Sequence, residues 1–99
     1  MKYAFISMPM AGKSWYDIEL MKKNILDKNG WEDVYELCDC KPHPDICNEV
    51  ENLGLSLYAM GKADVIYFAK YWQTARGCRV EHKVCQSYKL MKKVVYEDD

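Results

Sequence analysis

Asp64-Val65-Ile66-Tyr67-Phe68-Ala69, DVIYFA, is the stretch whose reading decides the fold. From Val65 to Ala69 every residue is apolar or aromatic, and polar turns bound the run. A strand that is wet on one face alternates apolar and polar residues, because successive side chains point to opposite faces. A strand covered on both faces has no reason to alternate. DVIYFA therefore reads as an inner strand of a parallel sheet with helices on both sides.

The flanking sequence agrees. Tyr3-Ala-Phe-Ile-Ser7 is a second short apolar run, and Lys92-Val-Val-Tyr96 reads as a last strand. Asp33-Val-Tyr-Glu-Leu37 is a further strand candidate. Between them lie helical patterns. Ser14 is a good N-cap with Asp17 three residues on, followed by Ile18, Met21, Ile25 and Leu26 and a stop near Gly30. Asp45 could cap a second helix carrying Ile46, Val50, Leu53, Leu57 and Met60 and stopping at Gly61. Cys38 to Pro44 reads as a loop, since Pro42 and Pro44 oppose a helix there. The order is strand, helix, strand, helix, strand, helix, strand. It predicts one α/β domain over residues 1–99: a three-layer α/β/α, doubly wound parallel sheet of about four strands, flavodoxin- or Rossmann-like in architecture.

Bulk properties exclude several functions. Fourteen basic and 15 acidic residues give a net charge of −1, which argues against binding a nucleic-acid polymer. No apolar run approaches the roughly 20 residues of a membrane span, and no signal peptide is apparent, so a cytoplasmic protein is expected. Five cysteines without a secretory signal read as free thiols. Eight Tyr and three Trp suit binding sites or subunit contacts.

The last helical pattern, Gly77-Cys-Arg-Val-Glu-His-Lys-Val-Cys85, contains an anomaly. At about 100° per residue, Gly77, Val80, Val84, Cys85 and Tyr88 gather on one side. Arg79, His82, Lys83, Gln86 and Lys89 gather on the other, with His82 read as solvated. Glu81 falls in the middle of the apolar side. A carboxylate there must be paired, protonated or set in a wet cleft. It is either a packing Glu, bonded to Arg76, a Tyr hydroxyl or a backbone N–H, or a functional one.

Ligands of open parallel sheets bind beyond the carboxyl ends of the strands. Ser7-Met-Pro-Met-Ala-Gly-Lys-Ser14 and Tyr71-Trp-Gln-Thr-Ala-Arg-Gly77 leave such ends and run into helix N-termini, where an anion is favoured. Gly12-Lys-Ser14 resembles the end of a P-loop, but the Gly that motif requires is Ser7 here. Cys38, Cys40, His43 and Cys47 are zinc-type ligands in C-x-C-x2-H-x3-C spacing, which is not that of a common finger; no metal is expected. Trp72, beyond a strand end, is a stacking surface for a planar base.

Taken in order, Phe5-Ile-Ser-Met-Pro-Met-Ala-Gly12, Ala63-Asp-Val-Ile-Tyr-Phe-Ala69, Trp72 and Ala75-Arg-Gly-Cys-Arg-Val-Glu81 resemble the nucleoside 2-deoxyribosyltransferase-like superfamily, closest to its short bacterial and phage branch. The resemblance covers nearly the whole chain. It implies a nucleoside or nucleotide ligand, no cofactor, and a homo-oligomer. It implies Glu81 as a nucleophile at the anomeric carbon, with resolution by a second base (transfer) or by water (hydrolysis). It implies substrate-binding roles for Ser7, Met8, Pro9, Met10, Gly12, Asp64, Trp72 and Gly77, with Trp72 flanking the base. Characterised members carry an Asp acid about eight residues before the Ala-Asp pair, where this sequence has Ser56. They also offer a first-strand Tyr to orient the nucleophile, for which Tyr3 is the candidate here. The alternative function is a nucleotide-binding module without chemistry.

Overall fold

A computed structural model describes residues 2–37, 48–88 and 92–97. Strand β1 (Lys2–Ser7) is followed by helix α1 (Trp15–Lys28), β2 (Tyr35–Leu37), α2 (Glu49–Lys62), β3 (Val65–Phe68), a short 3₁₀ turn (Trp72–Thr74), α3 (Arg76–Ser87) and β4 (Lys93–Tyr96). The four strands form one all-parallel sheet in the order β2-β1-β3-β4. Ala4 to Ser7 of β1 stand beside Val65 to Phe68 of β3, and Phe68 stands beside Tyr96 of β4.

Side-chain alternation along the strands divides the core in two. Ala4, Ile6 and Met8 with Val65, Tyr67 and Ala69 face α1 and meet Ile18, Ile25 and Leu26. Phe5, Ile66 and Phe68 face the other way and meet Ala59 and Met60 of α2 and Cys85 of α3. Every residue from Val65 to Ala69 is buried, as expected of a strand covered on both faces. The molecule is therefore a small three-layer α/β/α fold, with α1 on one face and α2 and α3 on the other.

Local signals set the helix starts. Ser14 caps α1 in a reciprocal box with Asp17, and Asn48 caps α2 in the same way with Glu51. Asn48, not Asp45, is thus the cap of α2; Asp45 and Ile46 lie outside the described residues. Gly30, at φ +69°, turns the chain after α1.

The helix rotations differ from the apolar stripes read above. In α2 the buried residues are Asn52, Ser56, Ala59 and Met60, while Val50 is 78% exposed. In α3 they are Cys78, Glu81 and Cys85; Tyr88 is exposed, and Val80 and Val84 are only half-buried. In α1, Lys22 is buried and Met21 exposed. All three helices thus bury polar side chains on their sheet-facing sides. His82 is not solvated. It stacks on Trp72 at 4.2 Å between ring centres, meets Phe68 edge-on at 4.9 Å, and its Nε2 lies 2.7 Å from the Tyr96 hydroxyl.

Candidate functional site

From β1 the chain passes through α1 to one side of the sheet, and from β3 through α3 to the other. The strand order therefore reverses between β1 and β3, where a crevice opens at the carboxyl ends. Two features meet there, one on each face of the sheet.

The first is a buried polar cluster on the α2/α3 face. Ser7, the last residue of β1, donates its hydroxyl to Glu81 Oε1 at 2.6 Å, across 74 residues of sequence. Ser56 of α2 adds a second hydroxyl to the Glu81 carboxylate, and the positive charge of Lys22 acts on it from α1. Glu81 is 6% exposed, its partners Ser7 and Ser56 are buried, and so are Lys22 of α1 and Asn52 of α2. Burial pushes the Glu81 carboxyl above its ordinary value, and Ser7, Ser56 and Lys22 pull it back in part. The Cys78 thiol, which also bonds to Ser7, is pushed up to about 11, first by burial. It is a neutral thiol at physiological pH. Arg76, a candidate partner for Glu81, pairs instead with Glu49 of α2 at 3.4 Å.

The sign of a stability effect follows. A carboxyl raised by folding is protonated more readily in the folded chain than in the unfolded one. Its contribution is most favourable below 4.5, the ordinary value, and is lost as pH rises through the folded value. Glu81→Gln mimics the protonated form at every pH. We expect the variant to melt above the wild type at pH 8, with the gap closing by about pH 4 as both wild-type states take up the proton. A gap that is constant with pH in thermal melts would show that Glu81 is not strained by its burial.

The second feature is a cleft of about 600 Å³ on the α1 face, within the range of small-molecule sites. Met8 and Pro9 of the first loop, Ala69 to Tyr71 and Thr74 of the second, Met21, Asn24, Ile25 and Lys28 of α1, Lys13 and Glu97 line it. Tyr71 holds a left-handed backbone at φ 69°, which a non-glycine residue adopts only against strain. The Thr74 hydroxyl secures it by donating to the Tyr71 carbonyl at 2.6 Å.

The expected site residues fall into three groups. Ser7 and Glu81 form the central pair, and Met8 and Pro9 line the adjoining cleft. Gly77 lies one helical turn before Glu81 and is exposed, with nothing within 4 Å of a Cβ built there. Gly12, at φ +75°, makes an exposed turn, and Met10 packs against the α1-side core.

Two expected residues do other work. Asp64 sits at the amino end of β3, where its carboxylate accepts from Tyr3 N at 2.8 Å and its own N–H donates to the Tyr3 carbonyl at 2.7 Å. That is about 16 Å along the strand from the crevice, so Asp64 joins strands and does not meet a ligand there. Trp72 is half-buried against Phe68 and stacked on His82. Tyr71, 62% exposed, is the aromatic side chain on the cleft. Tyr3 is likewise at the amino end, and the hydroxyl of β1 that bonds to Glu81 is that of Ser7.

Sequence reasoning missed Lys22, Asn52, Tyr71 and Glu97. A Lys inside an apolar helical stripe, as at position 22, was a visible signal of the same kind as Glu81. Cys38, Cys40, His43 and Cys47 lie outside the described residues, and among the described residues no group of three His, Cys, Asp or Glu is placed to hold a metal ion. No described helix is long and apolar enough to cross a membrane. Comparison with family models, with curated proteins and with solved structures found no significant match.

Proposed function

We propose that the chain binds a nucleoside or nucleotide in the strand-end crevice and acts on its N-glycosidic bond, with the Glu81 carboxylate as nucleophile. The observation that carries this reading is the Ser7–Glu81 pair, a carboxylate fixed at 2.6 Å by a hydroxyl at the point where the strand order reverses. The Ser7 and Ser56 hydroxyls together hold the carboxylate in place.

In the proposed reaction a Glu81 oxygen attacks C1′ and the C1′–N bond breaks. The base leaves with the bonding pair and takes a proton from solvent. The glycosyl ester on Glu81 is then opened by water, which regenerates the carboxylate, or by a second base. Two attacks on opposite faces retain the configuration at C1′.

A second reading, binding without turnover, is favoured by one observation. The groups that act on the Glu81 charge are Ser7, Ser56 and Lys22, and among the described residues no second carboxyl is one of them. The test is incubation of the protein with 2′-deoxynucleosides and their 5′-monophosphates. Chromatography reads free base, and mass spectrometry of acid-quenched protein reads a sugar adduct on the peptide holding Glu81. Free base with that adduct supports the proposal. Ligand-induced thermal stabilisation with no base after long incubation overturns it in favour of the binding module.

A further inference from the structure

The cleft on the α1 face has a composition that the Ser7–Glu81 pair does not explain. Its floor is apolar, with Met8, Pro9 and Ile25, and its rim carries Lys13, Lys28 and Lys70. Among the described residues, three lysines face one carboxylate, Glu97, in a chain whose net charge is −1. That carboxylate is already engaged: Glu97 Oε1 accepts from the Lys70 backbone N–H at 3.3 Å and the Tyr67 hydroxyl at 3.4 Å, and its Oε2 lies 3.8 Å from Lys28 Nζ.

These contacts arrange the cations. Glu97 extends from β4 and tethers Lys28 of α1 toward the strand ends. Lys70 follows β3 and holds its ammonium 5.2 Å from the centre of the Tyr71 ring. Lys13 comes from the opposite wall, where its N–H closes a turn on the Met10 carbonyl at 3.1 Å. The three cations thus come from three separate segments to one concave site.

We propose that this cleft is a phosphate subsite, in which Lys13, Lys28 and Lys70 take the phosphate group of a phosphorylated small-molecule ligand. The proposal deepens the nucleoside reading above and rests on it for the remainder of the ligand: the substrate is a nucleoside monophosphate and not a free nucleoside. Lysine ammoniums are compact point charges on mobile stems, which suit a phosphate approached from several sides; the cleft has no guanidinium fork of the kind that grips a planar carboxylate. The size of the cleft and the overall charge both favour a small ligand over a polymer.

The experiment is calorimetric titration of the full chain with three probes: a 2′-deoxynucleoside 5′-monophosphate, the matching nucleoside, and inorganic phosphate. The monophosphate is expected to bind at least about tenfold more tightly than the nucleoside, as charge-assisted contacts to a dianion require. Lys28→Gln and Lys70→Gln should each weaken monophosphate binding by about 3–10-fold, and the triple variant with Lys13→Gln should bring it to the nucleoside level. Lys23→Gln, on the same helix but not on the cleft, serves as the control and should leave affinity unchanged. Circular dichroism checks that each variant folds.

Equal affinity of the wild type for nucleoside and monophosphate overturns the proposal, as does indifference of the monophosphate to the triple variant. Inorganic phosphate binding as tightly as the monophosphate also overturns it, since the site would then hold free phosphate. The two readings fail separately. Lysine-dependent monophosphate binding without base release keeps the subsite and removes the glycosyl chemistry, whereas equal base release from nucleoside and monophosphate keeps the chemistry and removes the subsite.

Discussion

Glu81→Gln is expected to reduce base release by at least about 10³-fold, a loss of the size seen when a nucleophile is removed and only binding remains. The variant isolates the role because the amide keeps the shape of the carboxylate and still offers Oε1 to the Ser7 hydroxyl, the contact now made at 2.6 Å. It also removes a charge that burial disfavours, so loss of activity cannot be blamed on loss of fold. What the amide lacks is an anionic oxygen to form a glycosyl ester. Glu81→Ala should be as inactive, and it leaves a void beside Ser7 and Ser56 into which azide can enter. Partial rescue by azide, with a glycosyl azide as product, would identify the missing group as a nucleophile.

The same environment fixes the sign of the pH response. Only the ionised carboxylate attacks, and burial raises the pH at which it forms. The rate should therefore climb with pH through the Glu81 transition. Cys78 does not contribute at neutral pH, because its thiol is held neutral up to about 11. Base release that survives Glu81→Gln undiminished would remove Glu81 from the mechanism altogether.

The fold was legible because DVIYFA has no alternation, and only a strand covered on both faces tolerates that. The alternation of strands and helices along the chain, the cap at Ser14 and the inward side of Glu81 followed from equally local patterns. What did not follow was rotation. A stripe of apolar residues predicts roughly which face of a helix turns inward, yet α2 turns Asn52 and Ser56 inward and leaves Val50 in solvent. The cause is long-range: the Glu81 carboxyl needs hydroxyl donors, and Ser56 supplies one from a helix more than twenty residues earlier. Trp72 illustrates the reverse error. It has the right composition for base stacking, but it finds His82 nearly two helical turns into α3, and the cleft is left to Tyr71. Pairings between distant segments carry no periodic signature, so no window of sequence reveals them.

Phe68→Ala is expected to be the most destabilising single substitution of those considered, by about 3–5 kcal/mol. Phe68 is fully buried in a central strand, and its ring is in contact with three others. It stacks on Tyr96 at 5.4 Å, meets Trp72 at 5.3 Å and meets His82 edge-on at 4.9 Å. Truncation removes the transfer free energy of the ring and leaves a cavity that β3 cannot close, because hydrogen bonds to β1 and β4 hold it on both sides. Domains of this size are stable by about 5–15 kcal/mol, so the variant would lie near the edge of folding, with Tm lower by about 15–30 °C. Tyr88→Ala, at an exposed position, should change stability by less than about 0.5 kcal/mol. The milder Phe68→Leu tests what the aromatic cluster does for the site. Trp72 and His82 fix the start of α3 against β3, and Glu81 is next to His82 on that helix. A leucine fills much of the volume but cannot hold both rings at their present angles. The expected result is a folded protein in which base release falls more steeply than thermal stability. A Phe68→Leu protein with full activity and an unaltered near-ultraviolet aromatic signal would show that the position of Glu81 is set by Ser7 and Ser56 alone.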